Sequence, residues 1–221
     1  MRLLICNSKN WFSLNNEIKS LFSIKEISRK EDLNLELIHE FKPDFIFFPH
    51  WNWIVDNKIH QHQNCIVFHT APLPYGRGGS PIQNLILDGY ESTPVCALKM
   101  TSELDAGPIY GAITISLKGK LASIFSRINK AINKLIMEII INQLVPLPQE
   151  GEPHFFKRLT EKNNEIPKNI SLSEIFDRVR MLDHEDYPNA YIIYGNNKFE
   201  FYNASLKKEY LDLRCKIRKL K

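Results

Sequence analysis

The sequence predicts an α/β protein: an open, mostly parallel, twisted sheet with helices on both faces, carrying a small α+β C-terminal appendage. Three observations lead there. Short unbroken apolar runs at residues 44–48 and 65–68 suit strands covered on both faces. A long stretch, residues 121–145, repeats its apolar positions at helical spacing. Beyond a Pro/Gly cluster, the pattern changes to one helix and alternating short strands.

The elements follow in order. Residues 2–6 read as a short buried strand, and residues 14–41 as mixed helix and strand material, with a helix over 33–41 that Lys42-Pro43 stops. Residues 81–87 form a short helix with Pro81 in its first turn. Residues 94–100 and 109–117 read as strands. In the long helix Ile124, Phe125, Ile128, Ile132, Leu135, Ile136 and Ile139 make the apolar stripe, and Pro146, Pro148, Gly151 and Pro153 form a linker. Ser171-Leu172-Ser173-Glu174 is a capping-box signature opening a helix to Leu182. Residues 191–194 and 198–202 flank the polar turn Gly195-Asn196-Asn197, and the alternating tail supplies a third strand. Two units are expected, a catalytic domain over 1–150 and an appendage over 151–221.

Composition narrows the function classes. The chain has 221 residues, 43% hydrophobic and 24% charged, enough for a sizeable core without disulfides or metals. Its longest apolar stretch is broken by Glu138, Asn142 and Gln143, which excludes an ordinary membrane span there. The four cysteines (6, 65, 96 and 215) form no C-x-x-C pair and read as reduced thiols of a cytoplasmic protein. Net charge is +4, concentrated in a basic tail from Lys207, which reads as a solvated strand face with Leu211, Leu213, Cys215 and Ile217 beneath it. His60-Gln61-His62 lacks an acidic partner for a metal and reads as a solvated loop.

Two loops carry the unusual residues: His69 to Pro81, and Glu103 to Pro108. Both follow predicted strands of a parallel sheet, whose carboxyl ends are where open α/β folds bind ligands. The Gly-rich segment Gly76-Arg77-Gly78-Gly79 lacks the GK[ST] of a phosphate loop and the third glycine of a dinucleotide fingerprint. Taken alone it is a tight turn, His69 a structural histidine and Asp105 a turn residue.

Together, His69-x-x-x-Leu73-Pro74-x-x-Arg77-Gly78-x-x-Pro81 and Leu104-Asp105-x-Gly107-Pro108-Ile109 resemble the formyltransferase family that uses N10-formyltetrahydrofolate. Phe47-Phe48-Pro49-His50-Trp51, Gly79-Ser80-Pro81-x-Gln83-Asn84, Arg180-Met181-Leu182-Asp183 and Tyr187-Pro188 resemble its sugar N-formyltransferase branch, with pseudaminic-acid-type enzymes nearest. The resemblance implies a folate-dependent enzyme formylating a nucleotide-linked amino sugar in surface-glycan biosynthesis. It implies no nucleic-acid or membrane partner. A homodimer through the C-terminal hairpin is expected. The alternatives are formylation of another amine such as aminoacyl-tRNA, or a silent folate-binding protein. The chain reads as too short for the larger C-terminal barrel of methionyl-tRNA formyltransferases.

By the same resemblance His69 takes the amine proton or stabilises the developing charge, and Asp105 holds it or a water. The family's asparagine two residues before the histidine is here Val67, which has no side-chain donor. His50 and Asn52 are the candidate substitutes. Trp51, Trp53, Ile54, Met100, Glu103 and Asp105 are the expected folate-pocket residues, with only one tryptophan facing the pocket if the segment is extended. Tyr75, Arg77, Gly78, Gly79 and Gln83 are candidate substrate contacts, Arg77 alternatively locking the Gly-rich loop through backbone carbonyls. No metal is expected.

Overall fold

The computed structural model describes residues 1–220. Its central sheet has six strands: β1 (Arg2–Asn7), β2 (Ser23–Ile27), β3 (Phe45–His50), β4 (Cys65–His69), β6 (Ser92–Lys99) and β7 (Ile109–Ser116), in the order β2-β1-β3-β4-β6-β7. A short strand between β4 and β6, β5 (Tyr75–Gly78), lies outside this sheet. The first four strands in that order are parallel, and β6 and β7 run antiparallel to their neighbours. The expected α/β architecture is present.

Side-chain alternation divides the interior into two cores. Leu3, Ile5, Phe47, Ile66 and Phe68 face one side of the sheet, and Leu4, Cys6, Ile46, Phe48 and Cys65 face the other. Burial on both faces explains why these strands read as continuous apolar runs. The first side is covered by α1 (Asn16–Leu21) through Ile18, and by α4 (Pro81–Leu87) through Ile82, Leu85 and Ile86. The long helix α5 (Leu121–Ile141) completes that cover, and each of its buried Leu, Ile and Phe side chains contributes about 1.5–3 kcal/mol. The second side is covered by α2 (Leu35–Phe41) and α3 (Asn57–His60).

Three expectations are corrected. Helix α5 stops at Ile141 rather than running to residue 145. Gln143 then turns into positive φ, and Leu147 folds back to exchange backbone hydrogen bonds with Ile109. The Gly-rich segment is the strand β5 rather than a turn. It pairs in parallel with β8 (His154–Phe156), from the end of the expected linker. His60 is buried at the end of α3, its Nε2 2.8 Å from Asn57 Oδ1, and is no part of a solvated loop.

The C-terminal region opens with α6 (Leu172–Arg180), capped by Ser171 and Glu174 as its signature predicts. An antiparallel sheet follows in the order β11-β10-β9: β9 (Ala190–Tyr194), β10 (Asn197–Leu206) and β11 (Leu211–Lys219). Val179, Met181, Leu182, Ala190 and Ala204 join the same core as α5. Arg180 is buried and donates to the carbonyls of Leu117 and Gly119. In β11 Leu211 and Leu213 are half-buried, but Cys215 and Ile217 are exposed, because the strand runs past the edge of the core. No helix among the described residues is long and apolar enough to cross a membrane.

Candidate active site

His69 ends β4 and shares a face with Cys65 and Val67, the second core's side. Its ring is buried. Nε2 lies 2.7 Å from the carbonyl oxygen of Gly76. A carbonyl can only accept, so Nε2 carries a proton and donates, which leaves Nδ1 as the free nitrogen of the neutral ring. Nδ1 faces Asp105 Oδ2 at 3.5 Å. That oxygen also accepts from the backbone N–H of Gly78 at 3.0 Å. The two motif loops therefore meet at one imidazole, with Gly76 and Gly78 of the single strand β5 each gripping one partner through the backbone.

They do not meet in the way the sequence predicts. β6 runs antiparallel to β4, with His69 opposite Cys96 and Lys99 opposite Ile66. The carboxyl end of β6 thus lies about 10 Å from His69 along the strand. The loop 100–108 doubles back over the sheet face to return Asp105 to the histidine. Gly107 makes that reversal possible: a Cβ there would sit 1.8 Å from the Lys99 carbonyl oxygen. Asp105 itself has φ +52°, a left-handed conformation that short polar side chains tolerate best.

Gln149 closes the arrangement, a residue that sequence reasoning missed. Its Nε2 donates to the carbonyls of Asp105 (2.7 Å) and Gly107 (2.9 Å), and its Oε1 accepts from Arg77 Nη2 (2.8 Å) and Nε (3.2 Å). Arg77 is buried, and its Nη1 is 3.2 Å from Glu103 Oε1. Arg77 thus acts structurally, but through two side chains rather than through backbone carbonyls. The only signal for Gln149 is a lone amide in a proline-rich stretch, and its partners lie 42 to 72 residues away.

The other candidates scatter. His50 is turned to the opposite side by a bulge, where β1 advances from Ile5 to Asn7 while β3 advances from Phe47 to His50. Its Nδ1 is 3.2 Å from Ser8 Oγ and its ring meets Trp11 edge-on. Burial and the Lys9 ammonium hold its imidazole down to about 4, against the opposing pull of Asp186. The structure does not bring it together with His69. Asn52 is exposed, without a side-chain hydrogen bond among the described residues. Gln83 is buried, its amide 3.4 Å from the Met181 carbonyl, which removes it from any substrate path. Gly78 and Gly79 are committed to β8, Gly79 N–H donating to the Phe156 carbonyl. Tyr75 stacks on His154.

Trp51, Met100 and Val67 pack half-buried on the second core, beside the face that carries His69. Trp51 and Trp53 touch edge to face at 4.9 Å, so the segment is bent and both rings lie together, contrary to the extended expectation. Trp53 is 37% exposed, Ile54 96% and Leu104 65%, an uncovered apolar rim. Such a rim beside a buried His–Asp pair fits a flat, partly apolar heterocycle such as a pterin. Glu103 is mostly exposed and spent on Arg77.

Comparison with known proteins decides the family. Over 99% of both chains, the fold superposes with a TM-score of 0.93 and 36% identity on a methionyl-tRNA formyltransferase from Clostridium thermocellum. The chain belongs to the formyltransferase family. Residues 161–218 match the family model described as methionyl-tRNA formyltransferase, C-terminal domain. A methionyl-tRNA formyltransferase from Halalkalibacterium halodurans is 27% identical over 79% of this chain and 57% of its own length. The chain spans little more than half the length of such curated relatives. HypX from Aquifex aeolicus, solved with tetrahydrofolic acid, shares the fold at a TM-score of 0.83 and 19% identity, over 95% of this chain and 38% of its own.

These findings overturn the sugar reading. Solved sugar formyltransferases align at TM-scores of 0.57 to 0.68 and 16 to 18% identity, far below the full-length match. Their likeness is one of fold alone. The expectation of a nucleotide-linked amino sugar, with pseudaminic acid and glycan synthesis, falls with it, as does the exclusion of a nucleic-acid partner.

Proposed function

We propose that this protein is a folate-dependent N-formyltransferase acting on the amino group of an aminoacyl-tRNA. The observation that carries the reading is the clamped His69–Asp105 pair, set in a fold that superposes over its full length on a methionyl-tRNA formyltransferase. The basic tail adds support. Arg214, Lys216 and Arg218 lie on one face of β11, and the first two have no ion pair among the described residues. Exposed cations of this kind meet phosphates.

N10-formyltetrahydrofolate supplies the formyl carbon and a nitrogen leaving group. Trp51, Trp53, Ile54, Met100 and Leu104 are the residues to hold its ring system. His69 does the proton work. Gly76 holds Nε2–H, so Nδ1 receives the proton that the attacking amine sheds. The resulting imidazolium is an ion pair with Asp105, whose oxygen the Gly78 N–H keeps aimed. That Nδ1–H can donate to negative charge developing on the formyl oxygen, where Val67 supplies no donor, and as the bond between the formyl carbon and the folate nitrogen breaks the proton passes to the leaving nitrogen and the ring returns to neutral. Each such acid–base role is worth ~10²–10⁴ in rate.

The test is to incubate the protein with N10-formyltetrahydrofolate and charged initiator tRNA and to quantify the formylated aminoacyl ester. Wild-type turnover is expected, with a loss of ~10²–10⁴ in His69→Ala and Asp105→Asn. Absence of transfer by the wild type, or near-normal transfer by both variants, refutes the reading.

A further inference from the structure

We propose that Tyr75 and His154 form a stacking shelf for a nucleobase, with Lys157 and Arg158 taking the neighbouring phosphate. Three rings make a continuous stack at the surface: Tyr90 lies 6.1 Å from Tyr75, and Tyr75 lies 4.5 Å from His154 with only 14° between their planes. Phe156 supports Tyr75 edge-on from below, at 5.4 Å. His154, the last ring of the stack, is exposed, so one aromatic face stays in water. Tyr75, His154 and Phe156 line an open cleft of about 540 Å³ that also holds Lys157, Arg158, Asn84 and Asp88.

Charge and rigidity complete the shelf. Lys157 and Arg158 are exposed and have no ion pair among the described residues. Their backbone is fixed nonetheless. The Lys157 carbonyl accepts from Asn84 Nδ2 at 3.2 Å, the Leu159 N–H donates to Ser80 Oγ at 3.1 Å, and Arg158 presses so closely on Gly79 that a Cβ there would come within 2.6 Å of it. An aromatic platform flanked by unpaired cations is the arrangement that holds single-stranded nucleotides, because every base has a face to stack and every phosphate a charge. Asp88, 3.4 Å from the Tyr75 hydroxyl, offers an acceptor for an exocyclic base amine. Tyr75 immediately precedes Gly76, whose carbonyl holds His69, so one strand, β5, carries the shelf and braces the catalytic histidine of β4.

The identity of the nucleotide rests on the tRNA reading above. The base is one of the unpaired nucleotides at the acceptor end, and a free nucleotide has the same chemistry. The probes are therefore the trinucleotide 5′-CCA-3′ and the mononucleotides AMP and CMP, titrated against the full chain without folate. The trinucleotide is expected to bind, about tenfold more weakly in His154→Ala, with binding kept in His154→Phe. Lys157→Ala with Arg158→Ala is expected to flatten the salt dependence by about one unit of slope. Mononucleotides binding as tightly as the trinucleotide keep the shelf but assign it to a free nucleotide. Unchanged trinucleotide affinity in His154→Ala, or none in the wild type, overturns the shelf. Formyl transfer is measured separately: a protein that binds the trinucleotide through His154 yet never formylates tRNA retains the shelf and loses the substrate reading.

Discussion

Replacing Gly107 with alanine tests the geometry on which the site depends. The new Cβ would be placed 1.8 Å from the Lys99 carbonyl oxygen and 3.3 Å from Thr101 Cγ2. Backbone carbonyls do not swing aside as side-chain ends do, so the loop must retreat by more than about 1 Å, the scale at which misplaced catalytic groups lose ~10²-fold in rate. Asp105 is two residues away and moves with it. The Gly78 N–H to Asp105 bond and both Gln149 amide bonds to the loop would stretch or break. At about 1 kcal/mol each, those losses plus strain amount to roughly 3–5 kcal/mol of stability. Denaturant unfolding checks that figure, and the formyl-transfer assay checks the rate. Unfolding and turnover both at wild-type values would refute the claim that this glycine pins Asp105 to His69.

Three further outcomes follow from particular residues. His50 titrates near 4 in the folded protein against 6.5 when free, so the unfolded chain binds the extra proton between those values; stability is whole above pH 6.5 and falls by about 3 kcal/mol toward pH 4. Urea unfolding against pH should show that drop, and His50→Gln should remove it. Arg77→Lys keeps the charge but cannot span Gln149 and Glu103 together, so transfer should fall by about tenfold or more while the overall circular dichroism stays native. Of the four thiols, Cys215 alone is exposed, and burial pushes Cys65 up to about 12 and Cys96 to about 11. A thiol-reactive chromophore should label one cysteine in the native protein and four after unfolding; rapid labelling of a second would contradict the packing of β1, β4 and β6.

Much of the framework was legible because local chemistry specifies it. Period-two and unbroken apolar runs marked β1, β3, β4 and β6, the helical stripe marked α5, and Ser171 and Glu174 marked the start of α6. His69 and Asp105 were legible as a pair through motif resemblance. β2 and β8 were not, since five and three residues of mixed polarity carry little pattern. The substrate class was misread for a related reason: short shared motifs report the reaction centre, whereas the partner is distinguished over the whole length of the chain.

By itself, then, the order of residues determined which segments could bury apolar surface, where helices begin, and which imidazole and carboxylate were available for chemistry. Only the tertiary structure decided how they meet. The antiparallel setting of β6 sends Asp105 away from His69, and a glycine-hinged loop returns it. A one-residue bulge in β3 turns His50 to the opposite core, and Gln149, from the proline-rich segment beyond α5, ties the loop down. Those contacts join residues tens of positions apart, and their distances depend on sheet direction and register, which no local propensity encodes.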